Sequence, residues 1–256
     1  MMAKAESRES PMAHSQAGRK CCLAANGNEV IGYQVETCSG PGGCPNRAIV
    51  CEGLAEEIGN RLEKQGLNAF LKRIVRGPLK THHEFRISIS DCPNACSRPQ
   101  IADIGLIGAC RPMVTGETCN GCGACMETCR EDAISFIEGI PFVDSGKCLS
   151  CGKCISVCPT GTLRAGGSGY RILLGGKLGR HPRLGTELPG IFNKNEAMDI
   201  IDRCVTYYKH HCVAGERLGE IIVKKGERID ESISKPPAET DKGSHYRIPR
   251  VSRYSE

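Results

Sequence analysis

Two stretches of this chain carry cysteines at the same unequal intervals. CNGCGACMETCREDAISF begins at Cys119 and CLSCGKCISVCPTGTLRA at Cys148, an offset of 29 residues at which every cysteine and one glycine coincide. Each copy reads C-x2-C-x2-C-x3-C, the spacing in which three thiolates wrap one iron–sulfur cubane and the fourth reaches across to a neighbouring one. The repeat therefore predicts two interleaved quartets. Cys119, Cys122, Cys125 and Cys158 would hold one 4Fe-4S cluster, and Cys148, Cys151, Cys154 and Cys129 the other. Gly121, Gly123, Ala124 and Gly152 are small enough to bring backbone amides near the sulfides, which lowers the cost of burying the cluster charge.

The pattern resembles the two-cluster, bacterial-type ferredoxins over residues 119–158. Pro159 follows the last cysteine as that motif predicts, whereas Arg130 stands where the first copy would carry proline. A pair of zinc sites would not need eight thiolates in an interleaved order. The chain has 18 cysteines, and such strict spacing speaks against a disulfide framework and for a reducing compartment. MMAKAESRESPMAHSQAGRK has no apolar secretory core, and no apolar run approaches the roughly 18 residues of a membrane span. A cytoplasmic location without a membrane partner is expected. Trp is absent and aromatics make up 4% of the chain, so cohesion is expected from metal clusters as well as apolar packing. The net charge of +5 is scattered, without an aromatic-interleaved basic stripe. That excludes nucleic acid as the expected partner and suits an acidic electron carrier or an anionic substrate.

Around the repeat the chain reads as α+β. Residues 1–28 and 229–256 are polar or Pro-containing and read as flexible tails. TCSGPGGCPN, with Cys38 and Cys44, reads as a tight loop. Apolar residues from Leu54 to Val75 fall at helical spacing, with Gly66 dividing two helices and Gly77-Pro78 ending the second. EFRISIS, residues 84–90, alternates as a half-buried strand, with Phe85, Ile87 and Ile89 on one face and Arg86, Ser88 and Ser90 on the other. Further strands are expected at 102–110 and 169–179, with the repeat inserted between them. Asn193 and Glu196 form a capping-box start for a helix through Tyr208, and a last helix covers Leu218 to Ile222, ending near Gly226.

Four more cysteines form a C-x5-C pair, Cys38 and Cys44, and a C-x3-C pair, Cys92 and Cys96. Their spacing alone fits a cluster, a structural zinc or separate buried thiols. Their context, TCSGPGGCPNR, then FRISISDCPNACSRPQIADIGLIGA, then YRILLGGKLGRHPRLG, resembles the cluster-and-sirohaem motif of the sirohaem-dependent sulfite and nitrite reductases. The resemblance implies a 4Fe-4S cluster on Cys38, Cys44, Cys92 and Cys96, with the Cys96 sulfur shared with a sirohaem iron. It implies electron entry at the ferredoxin clusters and reduction of a small inorganic anion, sulfite or nitrite, at the sirohaem. Cationic side chains suit an oxyanion, which marks Arg86 and Arg98 as catalytic candidates. Arg180 and His181 are expected at the sirohaem carboxylates.

The expected architecture is then a sulfite-reductase-like sirohaem/4Fe-4S domain at 29–112 and 166–228, with a 2×4Fe-4S ferredoxin-like domain inserted at 113–165. Its cofactors would be three 4Fe-4S clusters and sirohaem. Glu84 departs from the basic residues such reductases carry in this strand, and 37 residues precede Cys38 where the family has a half-domain bearing substrate-binding arginines. A partner subunit or a second copy is expected to complete the pocket, and an electron-donor protein to feed it. The alternative expectation is a polyferredoxin-like subunit that relays electrons to a separate reductase. Cys21, Cys22, Cys51, Cys110, Cys204 and Cys212 belong to no motif and read as buried free thiols.

Overall fold

A computed structural model describes residues 30–226; the two expected tails and Cys21 and Cys22 lie outside the described residues. Five strands form the main sheet: β1 (Tyr33–Thr37), β2 (Phe85–Ser90), β3 (Ile104–Val114), β6 (Leu163–Leu174) and β7 (Thr186–Glu187), in that spatial order. β1, β2 and β3 run parallel, and β6 and β7 join antiparallel. Between β3 and β6 the chain makes a separate hairpin, β4 (Ile134–Ile137) and β5 (Ile140–Val143), and two short helices, α3 (Ala124–Thr128) and α4 (Lys153–Ser156).

The helices α1 (Leu54–Lys64), α2 (Leu67–Ile74), α5 (Lys194–His211) and α6 (Leu218–Lys225) bury their apolar stripes with Phe85, Ile87 and Ile89 in one core. Gly66, in the left-handed region at φ 65°, separates α1 from α2 as expected. Asn193 Oδ1 accepts from the Glu196 amide at 3.0 Å, and the Glu196 carboxylate accepts from the Asn193 amide at 2.7 Å. This reciprocal box starts α5 where the sequence predicts it.

Three sequence expectations need correction. β2 is buried on both faces: Ser88 and Ser90 are 3% and 1% exposed, because β2 is an inner strand whose polar face is covered by the loop after Cys96. The strand expected at 169–179 begins at Leu163 and ends at Leu174, where Gly175 turns to φ 75°. β3 likewise continues to Val114, so β3 and β6 form one long ladder, interrupted by a register shift at Arg111 and Pro112. Pro112 has no amide to give such a ladder, which accounts for the irregularity there. β1 was not foreseen; five residues with one buried side chain, Val35, carry little periodic signal.

One buried ion pair ties sheet to helix. Asp103, fully buried ahead of β3, meets Arg217 at 2.7 Å and accepts from the amides of Arg86 and Leu218.

Candidate metal centres

β1 and β2 are parallel neighbours and end side by side. Thr37 is in register with Ile89, and the Cys38 amide donates to the Ile89 carbonyl at 3.0 Å. Cys38 and the Asp91-Cys92 segment therefore leave the sheet together, although 54 positions separate their numbers. The amides of Gly40 and Asp91 both donate to Cys38 Sγ at 3.3 Å. Ala48 donates to the Asp91 carbonyl at 2.8 Å and folds the Cys44 loop back over this edge. A Cβ on Gly40 would overlap the Asp91 carboxyl group, so only glycine lets the two loops close.

The C-x3-C loop turns through Ala95, at φ 52°, and is pinned by Ser97. Ser97 Oγ donates to the Ile89 carbonyl at 2.7 Å and meets Ser90 Oγ at 2.7 Å, while Ser88 Oγ donates to the Ser97 carbonyl at 2.7 Å. These three serines were not foreseen as site residues; the alternation that places two of them on the polar face of β2 was the available signal. Cys92 is buried, Cys38 and Cys44 are half-buried, and Cys96 is exposed. Burial pushes the Cys92 thiol above its ordinary range, and the nearby sulfurs of Cys96, Cys38 and Cys44 push it further. Bound cationic iron would reverse that penalty.

The inserted region gathers its eight thiols by local geometry. Cys119, Cys122, Cys125 and Cys158 line one cavity. Cys129, Cys148, Cys151 and Cys154 line a second, which places the last cysteine of each copy with the other copy's first three. The shared glycine has one conformation in both copies: Gly123 at φ 75° opens α3 and Gly152 at φ 74° opens α4. Amides of Gly121, Ala133, Ser150 and Leu163 each donate at 3.4 Å, to Cys119, Cys129, Cys148 and Cys158 respectively. Burial and the sulfurs of Cys148, Cys151 and Cys129 push the Cys154 thiol up to about 12. At Cys158 burial also pushes upward, but hydrogen bonds from Leu163, Thr160 and Gly161 prevail and hold the thiol below its ordinary value.

Among the described residues no three His, Cys, Asp or Glu side chains converge on a single-ion site. A cubane offers four irons, so its thiolates surround a volume instead of a point. Quartets around cavities, with amides aimed at their sulfurs, fit such clusters. Cys96 is exposed beside three more protected partners.

Of the cationic candidates, Arg98 is exposed, two residues beyond Cys96, in the left-handed region at φ 59°. Arg86 lies at the opposite end of β2, where its guanidinium donates to the Thr81 carbonyl at 3.2 Å and sits 4.0 Å from Glu84. Arg180 and His181 are exposed at the tip of a hairpin closed by paired hydrogen bonds between Lys177 and Arg183. The Gly185 amide at the hairpin's base donates to the Gln100 carbonyl at 2.7 Å, so the hairpin flanks the segment after Cys96.

Thiol quartets at the carboxyl edge of an α+β sheet and in its insert fit the class of iron–sulfur proteins. A sequence profile of the nitrite and sulphite reductase 4Fe-4S domain matches residues 32–231, and the chain belongs to that family. It is 35% identical over 161 residues to the coenzyme F420-dependent sulfite reductase of Methanocaldococcus jannaschii, covering 61% of this chain and 26% of that protein. It is 30% identical over 86 residues to one of the subunits of the anaerobic sulfite reductase of Salmonella typhimurium, covering 34% of this chain and 25% of that protein. The chain thus spans about a quarter of the length of these relatives. The crystal structure of dissimilatory sulfite reductase I shares the fold at a TM-score of 0.56 and 17% identity, over 88% of this chain and 57% of that one. No helix among the described residues is long and apolar enough to cross a membrane.

Proposed function

We propose that the chain is a small reductase of the sulfite/nitrite type, with an inserted two-cluster ferredoxin-like domain at 113–165 that feeds a 4Fe-4S/sirohaem centre on the main sheet. The observation that carries this reading is the unequal exposure of the third quartet: Cys92 lies buried while Cys96 opens to solvent. Cys38, Cys44, Cys92 and Cys96 would hold the cubane, and Cys96, the exposed one of the four, would also serve the sirohaem. Sirohaem, when bound, supplies the electron-accepting metal site at which an oxyanion such as sulfite or nitrite is reduced.

The chain's own residues do the rest. Amides of Gly40 and Asp91 stabilise the Cys38 thiolate. Ser88, Ser90 and Ser97 lock the loop that presents Cys96. Arg98, exposed two residues beyond Cys96, favours an approaching anion by charge. Arg180 and His181, exposed on the flanking hairpin, would hold the carboxylates of the macrocycle. A partner subunit or a second copy completes the substrate pocket, an electron-donor protein reduces the insert, and the site of action is the cytoplasm.

One observation favours a second reading. Arg86 is engaged with Thr81 and Glu84, which leaves Arg98 as the candidate cation near Cys96 and suits a relay subunit serving a separate reductase.

Anaerobic purification with iron and acid-labile sulfide analysis tests the clusters, and the visible spectrum separates the two readings. The reductase reading expects iron and sulfide for three cubanes, with sharp sirohaem bands above the broad brown absorption. Cys96→Ser is expected to abolish those bands while the insert keeps its iron. Three cubanes without sirohaem bands would support the relay.

A further inference from the structure

The two quartets of the insert are not equivalent in their surroundings. Every residue lining the cavity of Cys119, Cys122, Cys125 and Cys158 lies between 119 and 163. The cavity of Cys129, Cys148, Cys151 and Cys154 is instead walled in part by Pro93 and Asn94. Pro93 is bonded directly to Cys92, so the backbone that carries a ligand of the third quartet is also a wall of this one.

Three further contacts lie on the same seam. Lys153, between Gly152 and Cys154, donates through Nζ to Asn46 Oδ1 at 2.7 Å, two residues from Cys44. The Cys110 amide donates to the Ser150 carbonyl at 2.6 Å. A Cβ on Gly152 would stand 3.0 Å from Cys110 Cβ, so β3 and the second copy meet at glycine distance. Cys110 is thus half-buried against the second copy and not an ordinary core thiol. Two residues earlier on β3, a Cβ at Gly108 would come within 2.6 Å of the Asp91 carbonyl carbon. Gly108 to Cys110 therefore runs from the edge of the third quartet to the edge of this one.

We infer that the three centres form an ordered wire: the Cys119 quartet is the outer entry point, the Cys148 quartet is the inner station, and Lys153 is the positioning residue at the junction with the third quartet. The inference rests on the proposed three-cluster reading. A low-potential one-electron donor reduces the outer cluster. That cluster is reoxidised as it reduces the inner one, which is reoxidised in turn as it reduces the third. One electron moves per step, and no bond forms or breaks. The Lys153 cation lies between two anionic clusters and favours the reduced form of both, so it raises both midpoint potentials.

The test uses the full chain, reconstituted anaerobically, reduced with dithionite and read by electron paramagnetic resonance. Cys119→Ala/Cys122→Ala empties the outer quartet and is expected to leave the spin–spin broadening between the remaining two clusters. Cys148→Ala/Cys151→Ala empties the inner quartet and is expected to abolish it. The reverse pattern, or equal broadening in both variants, overturns the order.

Lys153→Met keeps all ligands and provides a readout should a double variant fail to fold. It is expected to lower the midpoints of the inner and third clusters and leave the outer one unchanged, with Lys153→Arg restoring them. No shift, or a shift confined to the outer cluster, overturns the role of Lys153. Wild-type iron and sulfide short of three cubanes would instead overturn the underlying reading, and the wire with it.

Discussion

The inserted region and the main sheet gather cysteines by different physics. In the insert the thiols are fixed by chain geometry over a few residues: left-handed glycines open short helices, and amides two to five residues downstream point at each first or last sulfur. On the sheet, Cys38 and Cys92 meet because two parallel strands end in register, with α1 and α2 between them in sequence. A local site depends on backbone angles. A site assembled across a sheet depends on everything that keeps the strands together.

That contrast is sharpest when a ligand is removed. On the proposed three-cluster reading, Cys92→Ala is expected to cost the protein one cubane, about a third of its cluster iron, while the insert keeps its absorbance. Cys129→Ala is expected to strip the Cys148 quartet and spare the Cys119 quartet, despite lying in the first copy. Iron analysis with electron paramagnetic resonance of the reduced protein checks both. If Cys129→Ala emptied the Cys119 quartet instead, the interleaving read from the two cavities would be wrong.

The next largest effect separates the regions by stability. Asp103 is completely buried against Arg217 and fastens β2, β3 and α6. Breaking such a pair by removing one partner leaves an uncompensated buried charge and costs about 3–5 kcal/mol. Asp103→Ala is expected to shift the urea midpoint by an amount of that order and to loosen the third quartet before the insert. Simultaneous loss of all clusters during unfolding would mean that the insert borrows its stability from the sheet.

The sequence made these two regions unequally legible. The grouping of the eight insert cysteines around two cavities was legible in their repeated spacing, because that spacing is local. The helices at 54–74 and the Asn193 box were equally local. The partnership of Cys38 and Cys44 with Cys92 and Cys96 was not readable from spacing alone, because it needs β1, a strand too short and too polar to announce itself. The serine clamp on Ser97 was hidden for the same reason: an alternating strand shows which residues share a face, but not that another loop covers it. Asp103 and Arg217 lie 114 positions apart, and no local pattern links them.

Glycines provide a finer version of the comparison. Gly40 is required by contact, since a side chain there meets Asp91, 2.6 Å from its Cβ. Gly123 has nothing within 4 Å but sits at φ 75°. Overpacking of a closed site costs about 1–3 kcal/mol, and a left-handed angle for alanine about 1–2 kcal/mol. Gly40→Ala is therefore expected to lower iron occupancy of the third quartet selectively. Gly123→Ala is expected to lower overall stability of the insert without favouring one cluster. Urea titrations followed at the visible band, together with iron counts, distinguish the two outcomes.

The smallest expected effect concerns the hairpin that carries Arg180 and His181. Its base is held to α6 by Lys177, whose Nζ meets Glu220 Oε1 at 2.6 Å, and by Arg183, which donates to the Gly219 carbonyl at 3.0 Å. The hydrogen bond from Lys177 holds the Glu220 carboxyl below its usual range, against an opposing push from burial. A depressed carboxylate contributes stability above its unfolded value of about 4.3 and loses it as pH falls through the folded value. The pair is partly exposed and screened, so Glu220→Gln is expected to cost only about 0.5 kcal/mol near pH 7. The difference should shrink in high salt and vanish as the wild-type carboxylate protonates, when both proteins present a neutral group to Lys177. Paired urea curves at neutral and acidic pH measure it. A pH-independent difference would show that the hairpin is held by the Gly185 amide on Gln100 and the Arg183 side chain on Gly219, and not by this charge.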